Sequence, residues 1–204
     1  SAQNVWVKEH EPARKHVSNE KLALEIGFLT DSLCQGRASG TRGGSEAAFW
    51  IRNRFKKAGL LKFGDSYGHR VYISKDITGH NIMGMIPGPK KLHCDRYIII
   101  GAHFDHLGVL DGKMYPGADS NASGVVALTS IAEMISIMKN DGRTYDCNMI
   151  FVAFDGKEHS LAGSEALWKL LEKILVHNDK SWSKDVFRIL SYKIYQISIF
   201  NITI

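Results

Sequence analysis

Three cysteines in 204 residues, Cys34, Cys94 and Cys147, are too few and too widely spaced for a zinc knuckle or a disulfide framework. One disulfide plus one thiol is the most they can form. No uninterrupted apolar run reaches the ~18 residues of a membrane-crossing helix, so no membrane span is expected. The chain opens Ser-Ala-Gln-Asn, without a methionine and without an apolar signal core. That start points to a processed N-terminus and to an exported protein, whether periplasmic, cell-surface or secreted. The glycines between Gly40 and Gly44 follow no strand and match neither a phosphate-cradling loop nor a dinucleotide fingerprint, so they read as a connecting turn.

Acidic excess is missing too. The formal charge is +5 and the pI near 9.0, which permits contact with acidic surfaces. The cations are scattered, however, and no nucleic-acid motif accompanies them. Arg52, Arg54, Lys56 and Lys57 share one helical stretch and read as a solvated face, so no nucleic-acid partner is expected. With 44% apolar and 23% charged residues over this length, the chain has the material for one substantial core, and residues 1–204 read as a single domain.

What is present is an alternation of strand and helix signals. Leu22, Leu24, Ile26, Phe28 and Leu29 follow a helical pattern, which gives way to a polar, glycine-rich stretch over residues 35–44. Ser45 is placed to cap a second helix running through Ala47, Trp50, Ile51 and Phe55 to a stop at Gly59. Val71 to Ile73, Asn81 to Ile86, Tyr97 to Gly101 and Asn148 to Phe154 read as strands. Long helices follow from Ser120 or Ser123 and from Ala162 to Val176. The order predicts an α/β fold, a three-layer αβα sandwich around a mixed, largely parallel sheet.

In such a fold, ligands gather at the carboxyl ends of the strands. The apolar run Tyr97 to Ile100 leads into Gly-Ala-His103-Phe-Asp105-His106, and Asp119 follows on a glycine-bracketed loop. The next strand ends at Asp155-Gly-Lys157-Glu158-His159. An imidazole, a carboxylate two residues on that can hold its second nitrogen, and further carboxylates on adjoining loops make a hydrolytic metal site the first hypothesis. His106 and His159 flank it, and Asp155 is read as capping the following turn through backbone amides.

These segments resemble the co-catalytic zinc exopeptidases typified by bacterial leucyl aminopeptidases, a family that also contains glutaminyl cyclases. Gly36-Arg-Ala-Ser-Gly-Thr-Arg-Gly43, Asn81-Ile-Met-Gly, Ala102-His-Phe-Asp-His, Gly117-Ala-Asp-Ser-Asn-Ala-Ser-Gly and Gly156-Lys-Glu-His-Ser-Leu-Ala-Gly-Ser164 fall in that family's order. The resemblance implies zinc as cofactor and a peptide with a free N-terminus as substrate. It makes His103 and Glu158 ligands of separate zincs, with Asp119 bridging them through a cis Asp119–Ser120 peptide. Asp105 becomes the residue that orients His103.

The departures from the family pattern fall on function. Lys157 stands where active members carry the glutamate that serves as general base, and an ammonium is an acid at neutral pH. Tyr195 falls on the position of a downstream aspartate ligand, Asp185 is its fallback, and the family's final histidine ligand has no counterpart. The sequence therefore predicts an aminopeptidase-type metallopeptidase fold with an incomplete ligand set. The alternatives are a non-catalytic binding domain that kept the fold and a glutaminyl-cyclase-like acyltransferase.

Overall fold

The computed structural model describes residues 13–89, 96–143, 145–176 and 198–203. Helix α1 (Asn19–Thr30) begins at Ser18, whose side chain accepts from the Lys21 amide. Helix α2 (Arg42–Lys57) begins at Thr41, whose hydroxyl accepts from the Gly44 amide. Thr41, rather than Ser45, is thus the cap, and the helix starts inside the stretch read as a turn. The physical reason lies in the glycines themselves. A Cβ on Gly43 would sit 2.1 Å from the Cys34 carbonyl oxygen and one on Gly44 would sit 2.4 Å from that of Ala38. Here glycine lets the first helical turn press against backbone.

Helices α3 (Ser123–Asn140) and α4 (Ala162–Val176) follow. The strands are β1 (Leu61–Lys62), β2 (Gly68–Tyr72), β3 (Thr78–Ile86), β4 (Arg96–His103), β7 (Asn148–Phe154) and β8 (Ser198–Thr203), with a separate β5 (Gly108–Leu110) and β6 (Lys113–Tyr115) hairpin. The main sheet runs β1-β3-β7-β4-β8, and β2 also pairs with β3. It is mixed and partly parallel: β4 and β7 run parallel, with His103 opposite Phe154, while β3 and β8 flank them antiparallel. β2 starts three residues before the predicted Val71, because its ladder with β3 pairs Gly68 with Ile82.

The period of two along the strands divides the core between two faces. Ile82, Ile86, Ile100, Phe151 and Ala153 pack with Leu29 of α1, with Ala47, Ile51 and Phe55 of α2, and with Val125 and Leu128 of α3. Met83, Ile99, Ile150, Val152 and Phe154 face Leu167 and Leu171 of α4. The three-layer arrangement expected from the sequence is the one observed. Arg54 of α2 ties the helical layer together, its Nη2 lying 3.0 Å from Glu25 of α1 and 3.0 Å from Glu133 of α3. Residues Ala118–Asn140 are long and apolar enough to cross a membrane by composition, yet 61% of their apolar 18-residue stretch is buried inside the protein. That is the signature of a core helix.

Cys34 is fully buried, and burial pushes its thiol up to about 11, beyond what the nearby Arg37 charge offsets. The thiolate is the reactive species. Alkylation of Cys34 at pH 8, followed by mass spectrometry of its peptide, is expected to be at least about tenfold slower in the native protein than in denaturant. Equal rates would contradict its placement.

Candidate functional site

The parallel pair β4–β7 brings two strand ends to one rim, and the chemistry-bearing residues lie there. His103 closes β4 and is 1% exposed. Its Nδ1 lies 3.1 Å from the Asp105 backbone oxygen and 3.9 Å from Asp105 Oδ1. A carbonyl can only accept, so this contact keeps the proton on Nδ1 and a lone pair on Nε2, the tautomer a metal ligand requires. The main chain of Asp105, more closely than its carboxylate, holds the ring.

The Asp105 carboxylate serves the neighbouring strand end. Its Oδ2 accepts from the Glu158 amide at 3.0 Å, joining the loop after β4 to the loop after β7. Asp105 is wholly buried, and burial pushes its carboxyl up to about 7 against the backbone hydrogen bonds from Glu158 and Lys157. The Asp155 and Glu158 charges push in the same direction as burial.

Glu158 is partly exposed. Its Oε1 accepts from Lys157 Nζ at 2.8 Å and lies 3.5 Å from His106 Nδ1. Burial raises the Glu158 carboxyl, but the hydrogen bond and charge of Lys157, with the two histidines, outweigh it and hold the group below the usual carboxylate range. Asp105, Lys157, Glu158 and His103 are thus linked through direct contacts. Asp119 is not: it is exposed, on the turn Ala118–Ala122. The cis peptide of this turn is Ser120–Asn121, one bond beyond the Asp119–Ser120 position that the resemblance implies. The residue that reaches under the strand end is Asn121, whose Nδ2 donates to the His103 carbonyl at 3.2 Å and whose Oδ1 accepts from Gly124.

The family resemblance implies zinc, and the donors can be tested against it. Among the described residues no three His, Cys, Asp or Glu side chains gather where one ion could join them. A catalytic zinc takes three protein ligands plus water, and Lys157 already engages the Glu158 oxygen. The described residues therefore do not fit a zinc by themselves. Tyr195 and Asp185, the candidates for the downstream aspartate ligand, lie outside the described residues, as does Cys94.

Two buried polar residues, Arg37 and Asp155, organise this rim. Arg37 is fully buried at a backbone φ of 54° and donates to four carbonyls: Phe104, Leu29, Pro116 and Gly117. Burial draws its guanidinium down to about 10. It bolts the loop after β4 to the loop that carries Asp119. The only signal in the sequence was an arginine inside a run of small residues. Asp155 caps as expected: Oδ1 accepts from Ser39 Oγ at 2.6 Å and from the Gly156 amide at 2.8 Å, and Oδ2 accepts from the His80 amide at 2.9 Å. Asn81 joins the same arrangement, accepting from the Asp155 amide and donating to the Gly163 carbonyl.

Comparison with known proteins gives this geometry its relatives. The model of peptidase family M28 matches residues 81–187, just over half of the chain. A probable leucine aminopeptidase of Arthroderma otae is 26% identical over 162 residues, 78% of this chain and 41% of that protein. The BOS complex subunit NCLN of Gallus gallus is 35% identical over 89 residues, 43% of this chain and 15% of the subunit. LapA of Legionella pneumophila, a solved structure, superposes with a TM-score of 0.62 at 23% identity, covering 81% of this chain and 43% of LapA, a likeness of fold. The chain spans about two fifths of the length of the aminopeptidases it matches.

Proposed function

The chain belongs to peptidase family M28, and from that premise we propose that it is an aminopeptidase-type metallopeptidase domain that holds part of its site and does not hydrolyse peptides by itself. The substrate class of this reading is a peptide with a free N-terminus, and its cofactor is zinc. In this reading His103, Asp119 and Glu158 stand at the family's metal-donor positions without completing a site among the described residues, Asp105 lies beside His103, and Lys157 stands at the general-base position.

The observation that carries the reading is the 2.8 Å contact between Lys157 Nζ and Glu158 Oε1. An ammonium that donates to the neighbouring carboxylate is no acceptor for a proton from water, and its charge beside Glu158 opposes a second cation there. Two further contacts support the reading. His103 presents Nε2, and Asp105 binds the loop that bears Glu158.

The test is elemental analysis of the 204-residue chain after dialysis against trace zinc, run beside His103→Ala and paired with hydrolysis of a chromogenic leucyl anilide. The expected result is zinc well below one equivalent and no turnover. Lys157→Glu alone is expected not to restore turnover, because it adds a base without adding the donors that the described residues lack. Near-stoichiometric zinc that disappears in His103→Ala, with zinc-dependent hydrolysis by the unaltered chain, would overturn the reading.

The same ion pair, together with the likeness to a protein named as a complex subunit, favours a second reading: a binding domain that kept the fold and gave up the chemistry. The two part company in a protein of the aminopeptidases' full length. Turnover is present there under the first reading and absent under the second.

A further inference from the structure

The helical stretch read from sequence as a solvated face does not stand alone in the fold. The β2–β3 ladder aligns Gly68 with Ile82 and Arg70 with His80. Ile82 packs in the core on the α2 side of the sheet, and the period of two puts Arg70 and His80 on that same side. A trough runs between this edge and α2. A cavity of about 330 Å3, lined by Phe49, Arg52, Gly79, His80 and Asp155 among others, adjoins one of about 670 Å3 that shares Arg52 and His80 and adds Lys56, Lys62 and Arg70.

The larger cavity is lined by four cations and no carboxylate. None of the four forms an ion pair among the described residues. The Asp155 carboxylate, at the end of the smaller cavity, is held by Ser39 and by the Gly156 and His80 amides. Cations drawn from a helix and two strands into one concavity repel one another, and a cleft lined by one sign focuses its field on a ligand of the other. Arg52 is also held in place: its guanidinium carbon lies 4.9 Å from the centre of the Phe49 ring, which is 53% exposed. A guanidinium supported on a ring keeps its N–H groups for a carboxylate.

We infer that this trough binds an extended acidic peptide, a segment carrying two or more aspartates or glutamates, through Arg52, Lys56, Lys62 and Arg70. A peptide fits better than a nucleic acid. Phe49, the exposed phenyl ring on the wall, is already covered by Arg52 and so offers no open face to a base, and the four cations form a short trough rather than the long stripe that a phosphate backbone follows. The trough reaches Asp155, two residues before Lys157, so a bound segment lies beside the candidate rim. Binding here needs neither metal nor turnover, and it stands or falls separately from the peptidase reading.

The test is fluorescence anisotropy of the full chain in chelator, with a labelled Gly-Glu-Glu-Asp-Glu-Gly peptide, its Gln/Asn counterpart and a single-stranded oligonucleotide of equal charge. The acidic peptide is expected to bind at least about tenfold tighter than its amide counterpart, with affinity falling as salt rises. Arg52→Glu combined with Arg70→Glu is expected to weaken it about tenfold or more, whereas Lys169→Glu with Lys173→Glu on α4 leaves it within about twofold. Equal binding of the two peptides, equal loss in the α4 control, or tighter binding of the oligonucleotide would overturn the inference.

Discussion

Replacing Arg37 with methionine is expected to destabilise the protein by about 3–5 kcal/mol, read as a fall in the urea midpoint at unchanged slope. Methionine fills the volume but donates nothing to the four carbonyls that Arg37 now satisfies. Each buried acceptor left alone costs about 1–3 kcal/mol, and relaxation of the surface loop at Pro116 and Gly117 recovers part of the sum. Arg37→Lys retains the charge and loses the planar fork, so it falls between the two. Arg42→Met, at a side chain 79% exposed, is the control and is expected to stay within about 0.5 kcal/mol of the parent. A loss no larger for Arg37→Met than for this control would mean that the bolt carries no stability.

Asp155→Ala is expected to cost about 3 kcal/mol, and Asp155→Asn about half of that. The carboxylate accepts from one hydroxyl and two backbone amides. Alanine strands all three donors at a site where the residue is 5% exposed. Asparagine keeps one oxygen but turns an NH2 group toward at least one of them. Urea denaturation of the pair checks the ordering. If alanine and asparagine cost the same small amount, water has replaced the carboxylate and the capping account fails.

The layer architecture was legible because it rests on periodicity. Tyr97 to Ile100 and Met149 to Phe154 are apolar throughout, as strands covered on both faces must be, and the helices pack on those faces as their stripes require. Glycine misled where its role was steric: Gly43 and Gly44 read as loop and proved to be the first turn of α2. His103 and Asp105 announced themselves by spacing, but the carboxylate expected to hold the ring lies 3.9 Å from it and instead accepts from the Glu158 amide, a join between two strand ends that spacing does not encode. Arg37 was not legible, since its value comes from four carbonyls spread over residues 29–117, a convergence that no local pattern encodes. The basic trough was hidden for a similar reason. Arg52 and Lys56 are neighbours on a helix, but Lys62 and Arg70 come beside them only when the edge strands dock.

The position of β4 in the sheet has a kinetic consequence. Both of its neighbours come later in the chain, β7 from Asn148 and β8 from Ser198. The strand that delivers His103 therefore cannot find either partner while the earlier part of the protein is being synthesised. Contacts at such separation are slow to form, because the intervening chain must be closed first. Until then Tyr97 to Ile100 remains an apolar segment without a ladder, the kind of intermediate that chaperones hold. The rim on which the candidate chemistry depends thus forms only after β7 has been made.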